Sequence, residues 1–557
     1  MTSGVVIGGL TIWDYLVVIA YGAAMLGIGW ICSRRQTSTE EYFLGGRSMP
    51  WFIVGLSTMA TLVSTITYLT TPGEIIKNGF GVLWGNAAVW IAFVPIGFII
   101  IPRIMAHKIV SGYQLLEAQF GTGIRKAAAV LFVLTRLAWS GLVIYTCSVA
   151  LATMTGWRIE YILVAVGVVT TIYTTAGGIR AVMITDMTQA LILMFGAVLI
   201  VGYVMFKAHS FTGWWPDLGS PEAKTFLHWP SVPLYPTSIT RAFADQSQRI
   251  TIIGIIVYYV AWWIATASSD QMAIQRYLST KSAAIARKSS LTNAFANVFL
   301  GAVLAGAGLA LLGFFMAHLD ILPALNVLKP SIKPDELLHW TSLGDQAKQF
   351  YTLTHAADKI FPWFIAHILP PGVSGLLLAA LFAAAMSSIS SGISSISTVL
   401  MVDFESVFAR GLGPDAQLRR AKIMAVVIGA VSIGASFLQK LIPGNFMEVA
   451  QKINGFFVAP LAALFIMAFF MKRINRQGAW VSIVVGFLVA GFISYYMEIT
   501  TWYHTAILHE MSHEPVYISF TFILPAALVA SLISAYVVSL FFPASKTNLG
   551  GSSYELH

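Results

Sequence analysis

The chain has 557 residues, 57% of them hydrophobic and only 10% charged, which excludes a soluble globular protein and describes a polytopic membrane protein. Its 33 basic and 24 acidic residues leave a net charge of +9. Most of that excess falls in loops between apolar segments, where the positive-inside rule accounts for it and no nucleic-acid partner is implied. Cys32 and Cys147 both lie in apolar stretches, so neither a disulfide framework nor a cysteine metal site is available.

A helix needs about 20 apolar residues to cross a hydrocarbon core of about 30 Å. By that measure thirteen spans are expected. Residues 1–10 lack the basic segment of a signal peptide, so residue 1 is expected to belong to the mature chain, and the first span covers 11–32. Arg34, Arg35 and Arg47 follow it and mark the inner side if Met1 is outside. The second span, 50–72, has a hydroxyl-rich, β-branched centre, Ser57-Thr58-Met59-Ala60-Thr61-Leu62-Val63-Ser64-Thr65-Ile66-Thr67, that disfavours a continuous helix. After the third, 80–106, comes a basic segment with Lys108, Arg125 and Lys126. The fourth, 127–155, holds Arg136 well inside the apolar run with no acid one turn away. A guanidinium at that depth needs an anion or carbonyls, which a substrate or a structural partner can supply. The fifth and sixth, 160–179 and 183–206, flank Arg180; Asp186 sits one turn into the sixth, where it suits a helix dipole or an ion.

The seventh span, 250–275, contains Thr266-Ala267-Ser268-Ser269-Asp270-Gln271, a second polar interruption five spans after the first. Matching disturbances in two five-span halves point to an inverted-repeat transporter with broken helices at the midplane, although tight helix packing uses the same small residues. The eighth covers 292–318. In the ninth, 373–402, Ser387, Ser391 and Ser394, with Ser388 beside them, share one helical face. Hydroxyl and carbonyl oxygens are hard ligands that suit an alkali cation; close interhelical contact is the alternative. Spans 419–442, 446–471, 478–499 and 517–543 complete the set, and Lys452 is expected to snorkel. The long outer segments 207–249 and 319–371 read as lids or short amphipathic helices. An odd span count then puts the N-terminus outside and the C-terminus in the cytoplasm of a multi-pass cell-membrane protein.

Four pieces stand in a distinctive order: Glu41-Tyr42-Phe43-Leu44-Gly45-Gly46-Arg47-Ser48-Met49-Pro50-Trp51; Thr174-Thr175-Ala176-Gly177-Gly178-Ile179-Arg180-Ala181-Val182 leading to Thr185-Asp186; Gln275-Arg276-Tyr277-Leu278; and the serine-rich ninth span ending in Val402-Asp403. Together they resemble the sodium/solute symporter (sodium–glucose cotransporter) family over most of the chain. Thr71-Pro72-Gly73-Glu74 and the stretch from Ser269 to Tyr277 look most like its anion-transporting branch of iodide, monocarboxylate and multivitamin symporters. The sugar-binding positions of the galactose transporters fall at Thr67, Trp263 and Asn297, which makes a sugar less apt.

The resemblance implies an all-α membrane protein with a LeuT-like 5+5 inverted-repeat fold. Its parts would be an extra helix and loop over 1–49, a first repeat over 50–206, an outer loop over 207–249, a second repeat over 250–471, two further helices over 472–543 and a tail over 544–557. It implies a sodium ion held by backbone oxygens of Ala60, Val63 and Ala384 and hydroxyls of Ser387 and Ser388. A second sodium would use Asp186, Ser390 and Ser391. Arg136 would hold a substrate carboxylate, and Asn86, Tyr145, Trp263 and Thr266, with Thr67 and Trp139, would line the cavity. The expected function is sodium-coupled import of a small organic solute, a carboxylate or other anion, by alternating access in the lipid bilayer. It requires no enzyme chemistry and one chain suffices. A neutral or zwitterionic solute such as an amino acid or sugar is the alternative, and a membrane-embedded receptor a further one.

Overall fold

The computed structural model describes residues 9–34, 36, 38–209, 214–216, 251–318, 321, 353, 357–439, 446–507 and 518–543. Most of the two long outer segments and the tail after residue 543 lie outside the described residues. Among those described, every regular element is helical. Eleven helical stretches are long and apolar enough to cross a membrane. Thirteen expected spans become eleven stretches for two local reasons. The spans expected at 160–179 and 183–206 form one run, α7 (Ile159–Lys207), bent at Gly178. The second half of the span expected at 50–72 and the next span count as one apolar helical stretch, Thr65–Met105, although the chain turns between them at Gly79 (φ 69°, ψ −157°) and continues through a 3-10 turn over Gly79–Trp84.

Helix α1 (Ile12–Ser33) precedes that broken span, which consists of α2 (Trp51–Leu62) and α3 (Thr65–Asn78). Between the halves, Val63 (φ −86°, ψ 108°) and Ser64 (φ −97°, ψ 174°) are extended. Branched and hydroxyl-bearing side chains on both sides weaken the helix there, and the last carbonyls of α2 are left without ladder partners. Helices α4 (Gly85–Pro95), α5 (Gln114–Phe120) and α6 (Thr122–Thr155) follow, and then α7.

The second half of the fold opens on another broken span, α8 (Ile252–Ser269) and α9 (Gln271–Leu278), interrupted at Asp270 (φ −84°, ψ 118°). This break is pinned. Asp270 Oδ1 accepts from the Met272 N–H at 2.9 Å, and the Tyr113 hydroxyl donates to the Ser269 carbonyl at 3.0 Å. Gln271 donates to the Val110 carbonyl and accepts from the Gly112 N–H, each at 2.9 Å. Then come α10 (Ala283–Ala317), α11 (Ala357–His367), which lies in the outer segment expected to carry a short helix, and α12 (Val373–Asp403). Helices α13 (Pro414–Leu438), α14 (Phe446–Ile453), α15 (Ala459–Phe470), α16 (Arg476–Ser494) and α17 (Ile523–Leu540) complete the bundle.

The serine-rich α12 is the hub: 89% of its apolar window is buried, against 22% for α1. It packs against α1, α2, α6, α7 and α13. Outward-facing Leu488, Val529 and Ile533 on the terminal helices leave the apolar rim that lipid requires. Although α1 is peripheral, its Asp14 is buried and accepts from the Gly372 and Gly375 N–H groups at 2.8 and 2.7 Å, capping the start of α12.

Gly178 makes the bend in α7 possible, since φ 58° with ψ −166° is open in practice only to glycine. A Cβ there would also lie 2.8 Å from Gln36 Nε2 and 2.9 Å from the Tyr42 carbonyl oxygen. Gly178→Ala is therefore expected to destabilise the protein by about 1–3 kcal/mol. Gly202→Ala, in the same helix with nothing near its Cβ position, should be neutral or mildly stabilising. Thermal unfolding in detergent compares the two, and equal melting temperatures would refute the assignment.

Candidate ion and solute sites

The carbonyls freed at the first break meet hydroxyls from α12. Ser387 donates to the Ala60 carbonyl at 2.8 Å and, more weakly, to that of Ala384 at 3.3 Å. Ser388 donates to the Thr61 carbonyl at 3.1 Å. All five of these residues are buried, and Val63 stands at the break itself. By turning their protons aside, both hydroxyls can present lone pairs beside the carbonyls, giving a compact set of hard oxygens.

Asp186, Ser390 and Ser391 also come together. Ser390 reaches Asp186 Oδ1 at 3.4 Å and Ser391 reaches Oδ2 at 3.3 Å. Ser57 donates to the same Oδ2 at 2.8 Å, and Thr61 to it at 3.3 Å. Sequence reading missed Ser57, Thr61 and the sixth member, Arg276, which pairs with Asp186 at 2.7 Å with both side chains enclosed. Arg276 belongs to a motif noted in the sequence, but nothing local tells which acid it meets.

Arg136 meets an acid that its own helix does not supply. The absence of an acid within one turn left it open to a substrate anion, yet Asp270, at the second break, forms an ion pair with it. Their side chains are only 10% and 5% exposed. Neither residue borders the cavities described next.

A cavity of about 190 Å³ lies against the first break. Four sequence-expected residues line it: Thr67, Asn86, Trp139 and Trp263. Thr266 instead borders a separate space of about 20 Å³, which Trp263 shares. Tyr145 is half-buried against the core and borders neither. The wall further includes Glu74, Tyr259, Trp262, Asn297, Gln451 and Asn454. Glu74 is the one charged side chain among the described lining residues, and its Oε1 accepts from Asn78 at 2.9 Å. Gln451 and Asn454 reach the wall where α14 passes into α15 through a π-helical turn, Asn454–Val458, a distortion with no plain sequence signature.

At the opposite end of α6, Arg125 donates to Asp403 Oδ1 at 2.7 Å, to Glu117 Oε2 at 2.5 Å and to the Val402 carbonyl at 2.9 Å. Burial pushes the Glu117 carboxyl up, but Thr122 and Arg125 outweigh it and hold it below its ordinary range. This cluster ties α6 to the end of α12.

The sequence profile of the sodium:solute symporter family matches residues 42–486. This chain belongs to that family. It is 28% identical to the sodium/sialic acid symporter SiaT of Proteus mirabilis, over 97% of both chains. It is 28% identical to human sodium-coupled monocarboxylate transporter 1, over 87% of this chain and 73% of that one. A solved sodium-coupled sialic acid symporter, substrate-bound and outward-open, superposes with a TM-score of 0.77 at 25% identity, covering 96% of this chain and 99% of that one. The fold is accordingly the LeuT-like one, and the chain is a sodium-coupled symporter of an organic solute, not an enzyme.

Proposed function

We propose that this symporter imports a small organic solute bearing a carboxylate or other anionic group, with sodium bound at Ala60, Val63, Ala384, Ser387 and Ser388. The observation that carries this reading is the double use of the first break. Ala60 on one side of it meets the α12 hydroxyls, while Val63, Ser64 and Thr67 form the wall of the larger cavity. Ion and solute thus act on one hinge, and each raises the other's affinity by the same factor. Sodium orders the break, and alternating access then exposes the cavity to the other side. Helices α2 to α7 and α8 to α15 form the two five-span repeats; α1, α16 and α17 are additions. The N-terminus lies outside and the C-terminus in the cytoplasm, and a single chain holds all that transport needs.

The anionic substrate is supported by the sialic acid and monocarboxylate carriers among the relatives. Arg136 lies one turn from the cavity-lining Trp139, where an arriving carboxylate would take the place of Asp270. A neutral or zwitterionic solute is the second reading. It is favoured by Glu74 on the wall and by the Arg136–Asp270 pair. Uptake into proteoliposomes from a panel of small carboxylates, amino acids and sugars separates the two. Sodium-gradient-dependent accumulation of a carboxylate is expected; accumulation of neutral or zwitterionic solutes alone would overturn the anionic reading.

A further inference from the structure

The oxygens assigned to a second sodium ion already surround a cation that belongs to the chain. Arg276 Nη2 lies 2.5 Å from Thr61 Oγ1, 2.5 Å from Ser391 Oγ and 2.7 Å from Asp186 Oδ2. Near-equal separations from three oxygens place this nitrogen where an ion shared by them would sit. The rest of the guanidinium is also engaged: Nε donates to Ser57 at 2.9 Å, and Nη1 to the Met272 carbonyl at 2.9 Å. The residue is 1% exposed.

We propose that Arg276 fills the second cation position, so that this chain couples transport to one sodium ion. The proposal rests on the principal sodium site proposed above. Nη2 and a sodium ion are mutually exclusive there, because both need the same lone pairs and a second positive charge beside one enclosed carboxylate is repelled. Asp186 needs a cation in either case, since an ionised carboxylate without one is costly at this depth. Arg276 meets the need permanently: it is carried on α9, beyond the second break, and is never released to solution as an ion would be. Ser390, which reaches the other carboxylate oxygen, helps orient the acid toward it. The serine-rich face therefore serves two cations of different origin, a solute ion at Ser387 and Ser388 and a tethered one at Ser391.

The test is the number of radioactive sodium ions bound per purified chain at saturation. One is expected for the wild type. Arg276→Gln leaves the acid without its charge partner and should raise the count to two, whereas Asp186→Asn/Arg276→Gln, neutral at both positions, should return it to one. Two ions in the wild type overturn the proposal, as do one ion in Arg276→Gln or two in the double variant. If Arg276→Gln does not fold, the wild-type count still decides. Ser387→Ala/Ser388→Ala reports on the principal site separately: its count should fall to none, and an unchanged count there overturns that site while the Arg276 comparison stands.

Discussion

Replacing Ser387 and Ser388 together by Ala is expected to raise the sodium concentration needed for half-maximal uptake on the order of 10²-fold or more. Each hydroxyl ligand to a charge contributes roughly 1.5–3 kcal/mol, and each 1.4 kcal/mol is a factor of ten. The fold loses less. The two hydroxyls donate to the carbonyls of Ala60 and Thr61, exchanges worth about 0.5–1.5 kcal/mol each. Sodium activation should thus collapse while the protein still folds and purifies. Sodium dependence of uptake within twofold of the wild type would exclude both serines as ligands.

Asp270→Ala is expected to destabilise the protein by about 3–5 kcal/mol, because it strands the enclosed guanidinium of Arg136. It also removes the cap from α9, worth about 1 kcal/mol more. Arg136→Met/Asp270→Ala should recover a large part of that loss, since no charge is then left alone. A cycle of the single and double variants, read by thermal unfolding in detergent, measures the coupling. Additive losses would show that the two residues do not act as a pair. On the proposed anionic reading the same pair would bear on selectivity, because a carboxylate solute that engaged Arg136 would leave Asp270 to find another partner.

What could be read from the sequence was what is local. The run from Ser57 to Thr67 announced a weak helix, and the chain does break at Val63 and Ser64. The serines of α12 announced a polar face at helical spacing, and it faces that break. Pairings between distant helices were illegible. Asp186 and Arg276 are 90 positions apart, and Arg136, on the unbroken α6, finds its acid at the break between α8 and α9, so neither pair leaves a periodic trace. The cavity was half legible for a related reason. Thr67, Asn86, Trp139 and Trp263 border it, but Glu74, Gln451 and Asn454 reach it through helix ends and a π-helical turn whose path depends on packing.

Asp14 has a consequence for the order of biosynthesis. Its backbone partners, Gly372 and Gly375, lie 358 and 361 positions further along the chain. At roughly 5–20 residues per second, α1 emerges from the ribosome some 20–70 s before those N–H groups exist. During that interval the acid has only Thr11 to bond with, at the rim of its own helix. An acid held within the bilayer core costs about 2.5–3.5 kcal/mol on insertion scales, so the nascent helix gains by keeping this end shallow, among headgroups and water. Helix α1, made well before its partners, thus settles only after them, and its final depth is set when α12 arrives to take the carboxylate.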